Sequence, residues 1–324
     1  MAHPHLDSIG FTTADAGASA AFFVNHLGFG RHGDAQIVEG GPYGELVGLP
    51  GARLKLLRLT IGAEVLELTE ILDPGPGARS GKPVPADSHS TDRWFQHICL
   101  VVNAMDKALA GLEPAIATGT ITPISTAPQR LPDWNTAAAG IVAYKFRDPE
   151  GHPLELLQFP PDKGEARWHA EVPGPLLGID HSAIGIADTV ASCRFYRELL
   201  GLSAGGEGVN SGPEQDGLDG LVGTQVQITG HRCPTGTGVE CLDYREPNSG
   251  RSMAADQGIQ DLAHWQLRLR VADLETIAGR VDQFGGRLIS PGIVELGNQA
   301  AIIGAGRALQ LADPDGHQLQ LLQG

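Results

Sequence analysis

A carboxylate that chemistry could use stands in the stretch Arg147-Asp148-Pro149-Glu150-Gly151-His152-Pro153-Leu154-Glu155-Leu156-Leu157. Pro149 and Gly151 sit at the second and fourth places of a four-residue turn, which suits a type I turn between two strands. Glu155 then falls inside a strand whose neighbours are apolar. A charge buried there is costly unless it is paired or ligates a metal, so those are the two chemistries to weigh. The plain alternative is a carboxylate on a solvent face. The phrase returns near the C-terminus as Asp313-Pro314-Asp315-Gly316-His317-Gln318-Leu319-Gln320-Leu321, with Gln320 where Glu155 stood. The chain is therefore a duplication whose copies differ chemically.

The elements around these turns repeat as well. Residues 6–29 read as an alternating strand, an Asp-led turn, a helix with an apolar face and a glycine stop, and residues 179–202 read the same way. Three strand-like runs follow each, then a polar, Pro- and Gly-rich loop. Another strand and helix come next, and three strands closing on the turn phrase. The pattern is strand, helix, three strands, four times over. Ser8 precedes Glu67 by 59 positions and His181 precedes Glu240 by the same 59, each pair offset by 173 between the halves. Such agreement makes the repeat predictive. The expected domains are residues 1–160, with modules 6–72 and 94–160, and residues 179–324, with modules 179–247 and 262–324. Residues 161–178 form the linker, broken by Pro173 and Pro175.

Composition narrows the classes. A net charge of −15 offers no basic face for nucleic acid. No apolar run reaches the length of a membrane span, and Met1-Ala2-His3-Pro4-His5 runs straight into a strand pattern without signal-peptide character. A cytoplasmic protein is expected, with Cys99, Cys193, Cys233 and Cys241 as reduced thiols in or near the core. His3 and His5 could fold towards a site, although a frayed terminus is the plainer reading. Trp94, Phe95, Trp134 and Tyr144 read as core or pocket lining. Leu131–Asn135 reads as a lid or specificity loop, and His152 and His317 as hairpin-end residues.

The layout resembles the vicinal oxygen chelate superfamily, which includes glyoxalase I, extradiol ring-cleaving dioxygenases, methylmalonyl-CoA epimerase, and fosfomycin and bleomycin resistance proteins. Ile179-Asp180-His181, Phe195-Tyr196, Leu200-Gly201-Leu202, Phe95-Gln96-His97-Ile98 and the two turn phrases carry the resemblance, which spans nearly the whole chain. It implies an α+β fold of four βαβββ modules, forming two cupped mixed β-sheet domains with helices outside. It also implies a divalent metal, with ligands from the first and last strands of each module. Carried over residue by residue, the first half supplies Ser8, Glu67, His97 and Glu155. The second supplies His181, Glu240, Gln266 and Gln320, with His264 as a substitute for Gln266 if the register slips.

Ser8 is a poor ligand, so the expected set in the first half is Glu67, His97 and Glu155. His181, Glu240 and Gln266 form a second set. Such N/O donors suit Fe, Mn, Ni, Co or Zn rather than Mg. Packing remains the plain alternative for His97, and a surface position for Glu67. The resemblance implies a glyoxalase-like lyase or isomerase that acts on a small substrate with adjacent oxygens, with Glu67 or Glu155 as base. An Fe(II)-dependent extradiol-type dioxygenase is the alternative enzyme. A non-catalytic antibiotic-binding protein is the third reading, favoured by the neutral Ser8, Gln266 and Gln320. Either a monomer or a homodimer fits, and the pairing of modules within or across halves stays open.

Overall fold

The computed structural model describes residues 4–234 and 237–324, and His3 lies outside them. Two mixed β-sheets, of ten and nine strands, carry helices on their outer faces. The modules pair across the halves. In the ten-stranded sheet the central order is Arg307–Ala312, Gln318–Gln323, Trp265–Arg270, His5–Thr13, Glu64–Asp73, Arg53–Ile61, so the first and fourth modules form one cup. In the other sheet the order is Ser203–Ser211, Gln225–Arg232, Gly238–Glu246, Leu176–Ile186, Gln96–Val102, Pro153–Gln158, Val142–Arg147. The second and third modules thus form an inner cup, flanked in sequence by the outer pair. Residues 1–160 and 179–324 are units of repeat, and each cup takes one module from each.

Both cups close along an antiparallel seam in the same register. His5–Thr13 meets Trp265–Arg270, with Ser8 opposite Arg268 and Gly10 opposite Gln266. Leu176–Ile186 meets Gln96–Val102, with His181 opposite Cys99 and Ala183 opposite His97. The observed pairing of Gly10 with Gln266 leaves His264 buried ahead of the strand rather than in a ligand position.

Local chemistry explains why the modules repeat. Asp15 accepts hydrogen bonds from the backbone N–H groups of Gly17 and Ala18 and starts the Ala16–Leu27 helix, which Gly28 ends at φ 68°. That left-handed conformation suits glycine. Asp188 caps the third module's helix in the same way, through Val190 and Ala191. In the turns, Asp148 accepts from the backbone N–H groups of Glu150 and His152, and Asp313 from those of Asp315, Gly316 and His317.

The two turn histidines do more than end hairpins. His152 is fully buried, with Nδ1 2.9 Å from Asp148 and Nε2 2.9 Å from the carbonyls of Thr12, on the other sheet, and of Leu262, in the turn before Trp265–Arg270. His317 makes the reciprocal contact, Nε2 to the Gly185 carbonyl at 2.7 Å. Behind these clasps the sheets share one apolar core that includes Phe11, Phe23, Leu100, Phe146, Phe195 and Leu309. Each such side chain contributes roughly 1.5–3 kcal/mol by leaving water. Cys99, Cys233 and Cys241 are buried and Cys193 is partly so, all as free thiols.

Candidate metal centre

In the inner cup three strands bring together residues that are distant in sequence. The antiparallel seam sets His181 beside His97, and the parallel pairing of Pro153–Gln158 with Gln96–Val102 sets Glu155 beside them. One ligand atom from each of His97, Glu155 and His181 lies within 4.8 Å of the others, and all three residues are buried. His97 Nε2 is 3.1 Å from Glu155 Oε2. Glu240, on the strand parallel to His181, adds its Oε2 at 3.3 Å from His181 Nε2, with its side chain 25% exposed.

The surroundings prepare these groups as ligands. Burial pushes the Glu155 carboxyl upward, but Lys145 and then His97 outweigh it and hold it at about 2, so Glu155 is a carboxylate. Burial lowers the pKa of His97 against the pull of Glu155, which favours a neutral imidazole with a lone pair to share. Burial also opposes charging of His181, but Glu240 and Asp180 together raise it. Asp180 receives His181 Nδ1 at 2.9 Å and is itself held by Arg232 Nη2 at 3.1 Å. An imidazole anchored through one nitrogen by a carboxylate presents the other in a fixed direction.

The donor set fits a first-row divalent ion. Donor atoms each about 2.1 Å from such an ion stand about 3 to 4 Å apart, and the Glu155–His97, Glu240–His181 and Glu155–His181 separations are 3.1, 3.3 and 3.9 Å. Two imidazole nitrogens with one or two carboxylates suit Fe, Mn, Co, Ni or Zn.

The expected ligands divide between the cups. Glu67 does not join His97 and Glu155, and the set Glu67–His97–Glu155 is not one site. Glu67 lies in the outer cup, fully buried, where Oε2 accepts from Arg58 Nε at 2.8 Å and Arg268 Nη1 at 2.7 Å. Gln266 is also in the outer cup, away from His181 and Glu240. It belongs to an amide cluster in which Gln310 Nε2 reaches the side-chain oxygens of Gln266 and Gln318, and Gln320 Nε2 reaches Gln310 Oε1. Ser8 is buried opposite Arg268. The reason is topological: a module's partner comes from the other half, so the ligand positions of one half are split between two cups.

A cavity of about 220 Å³ opens beside the cluster, lined by His97, Glu155, His181 and Glu240 and by apolar groups such as Ala143, Leu157, Val226 and Leu242. Leu131, Ala137 and Ala138 of the suspected specificity loop line it too, whereas Trp134 is 59% exposed. Phe95 and Tyr144 are core, and Tyr244 and Phe159 supply the cavity's aromatic surface.

Three neighbours were not singled out in sequence: Asp180, Lys145 and Asp219. Lys145 Nζ donates to Asp219 Oδ1 at 2.7 Å, and Asp219 Oδ2 accepts from Tyr244 and Gln215. Two of the three had a readable signal. Asp180 immediately precedes His181, and the Asp148–Gly151 hairpin must place Lys145 opposite Glu155, as it does. Asp219 had none, because its contact with Lys145 crosses between modules.

The family model described as Glyoxalase/Bleomycin resistance protein/Dioxygenase superfamily matches residues 5–156 and 178–321. None of the curated proteins matches the chain. Among solved structures, glyoxalase I from Zea mays is similar with a TM-score of 0.61 at 14% identity, covering 99% of this chain and 92% of that one. A putative dioxygenase from Bacillus subtilis subsp. subtilis str. 168 is similar with a TM-score of 0.54 at 12% identity, covering 98% of this chain and 84% of that one. At these identities the structural likeness establishes the fold, and the family model spans both halves. The chain belongs to the Glyoxalase/Bleomycin resistance protein/Dioxygenase superfamily.

Proposed function

We propose that the inner cup is the working site of a metal-dependent, glyoxalase-like isomerase or lyase. The observation that carries this is the buried meeting of His97, Glu155 and His181, with Glu240 beside them, on the wall of a cavity. His97, Glu155 and His181, with Glu240 as a further ligand, would hold a divalent ion, which would supply Lewis acidity towards the adjacent oxygens of a small substrate. Glu240 is the most exposed of the four and faces the cavity. It serves as the base that takes a proton from the carbon beside a carbonyl and returns it to the enolate so formed. Asp180 keeps the His181 ring oriented through Nδ1. The apolar wall excludes water from the developing negative charge.

A second reading has its own support. His97, His181 and Glu155 alone are a two-histidine, one-carboxylate set, the arrangement used by non-haem Fe(II) oxygenases. The Zea mays and Bacillus subtilis structures carry the names of both classes.

Metal content and oxygen uptake separate the readings. Elemental analysis of purified protein is expected to show about one transition metal per chain. Isomerisation of a 2-hydroxy carbonyl substrate without oxygen consumption supports the first reading. Substrate-dependent oxygen uptake by iron-loaded protein replaces it with the second. Protein that takes up no metal on reconstitution sinks both, and returns the chain to small-molecule binding.

A further inference from the structure

Lys145 is an unusual wall for a metal cavity. It is 4% exposed, and its strand neighbour across the hairpin is Glu155, so both side chains rise from the same face of the sheet. Among the described residues its ammonium meets one hydrogen-bond acceptor, Asp219 Oδ1 at 2.7 Å, although it carries three N–H donors. Tyr244 and Gln215 hold the other Asp219 oxygen, so the counter-charge is pinned in place. A buried ammonium with donors unspent is costly unless something in the cavity accepts them.

The second cation lining the cavity is not available in the same way. Arg232 spends its terminal nitrogens on the carboxylate and carbonyl of Asp180. Nor does the fold demand a lysine at position 145. The corresponding outer-cup position, opposite Gln320, is Gln310, whose amide is consumed by Gln266, Gln318 and Gln320.

Resting on the proposed metal site, we infer that the inner cup takes a small 2-oxo or 2-hydroxy carboxylate, whose carboxylate is bound by Lys145 while its adjacent oxygens face His97, Glu155 and His181. A charge-assisted hydrogen bond between ammonium and carboxylate is stronger than one to a neutral oxygen, and stronger still beside the apolar Ala143 and Leu157. The cavity's room of about 220 Å³ beside the cluster accommodates a short-chain acid, with its apolar lining against the acid's tail.

The test compares pyruvate with pyruvamide, which keeps both vicinal oxygens and removes the charge. Their dissociation constants are measured by calorimetry on metal-loaded wild type, Lys145→Arg, Lys145→Met and Lys145→Met/Asp219→Asn. The double variant removes the carboxylate that the single change would strand and guards against loss of folding. Wild type and Lys145→Arg are expected to prefer pyruvate. Both Met variants are expected to lose about tenfold of that preference, with pyruvamide binding and metal content unchanged. A preference that survives in the Met variants, or one absent from metal-loaded wild type, overturns the assignment. Loss of metal from the Met variants also overturns it, by showing that Lys145 acts through Glu155. Wild type that takes up no metal removes the site reading and this inference with it.

Discussion

The inner and outer cups are built on one backbone plan and have solved the same electrostatic problem in opposite ways. Each places a carboxylate on the strand that runs parallel to its seam, the partly exposed Glu240 in one and the buried Glu67 in the other. In the inner cup the equivalent positions hold His181, His97 and Glu155, a set that could hold a divalent cation. In the outer cup they hold Ser8, Gln266 and Gln320, and the cation is built in: Arg58 and Arg268 clamp Glu67. Bulk is exchanged across the seam. His181 faces the small Cys99, whereas the small Ser8 faces Arg268. A guanidinium cannot be deprotonated in a protein, so the outer cup carries its own counter-charge to Glu67. Its distal nitrogens finish on the carbonyls of Ile302 and Ile303, which ties the last module's helix to the sheet. One cup keeps a space open for chemistry; the other converts the same space into structure.

The strongest way to break this contrast is to remove a ligand from each side. His97→Ala is expected to abolish metal uptake, whereas Glu67→Gln leaves about one metal per chain, both read by elemental analysis. Metal lost in Glu67→Gln would show that the outer cup binds it. The converse probe is stability. Arg268→Met leaves Glu67 with a single, partly exposed partner, and breaking a buried pair from one side costs about 3–5 kcal/mol. Denaturant unfolding should show that loss with metal content unchanged.

Smaller changes sharpen the picture. Asp180→Asn keeps the shape beside His181 but removes the charge on its Nδ1 partner, and metal affinity measured against a competing chelator should fall about 10–100-fold. The smallest effect belongs to the clasp between the cups. Both ring nitrogens of His152 face acceptors; burial opposes its charging, but Asp148 outweighs burial and raises its pKa. A raised folded-state value means that the clasp's stabilisation is complete below the unfolded value of about 6.5 and is lost as pH rises through the folded value. His152→Gln should therefore cost about 1–2 kcal/mol in mildly acidic buffer and progressively less in alkaline buffer. Thermal melts across that range would contradict the clasp if the difference were flat.

Much of this architecture was readable before any coordinates. The spacing of 59 between Ser8 and Glu67, and again between His181 and Glu240, placed all four on matching strands, and the Asp148 and Asp313 turns announced the duplication. The caps at Asp15 and Asp188, the helices they begin and the hairpin ends followed from neighbours in sequence. His97, Glu155, His181 and Glu240 were each legible as site residues. Their grouping was not: Glu67 was expected with His97, and Gln266 with His181. Lys145 was legible only in its place opposite Glu155 across the hairpin, and its partner Asp219, in another module, was not.

The division follows from the range of the interactions. Within a module, strand alternation, caps and turns are local, so residue types and intervals determined the fold class, the repeat and the four candidate ligands. The pairing of modules is not local. A seam strand of the second module offers the same apolar face and the same hydrogen-bonding edge to either of two nearly identical partners, so periodicity cannot choose between them. Only the tertiary structure decided that His97 meets His181 over Cys99 while Ser8 meets Arg268, because that choice turns on how side chains fill the space across each seam. It turned one repeat into an open cup with a candidate metal site and a closed ion pair.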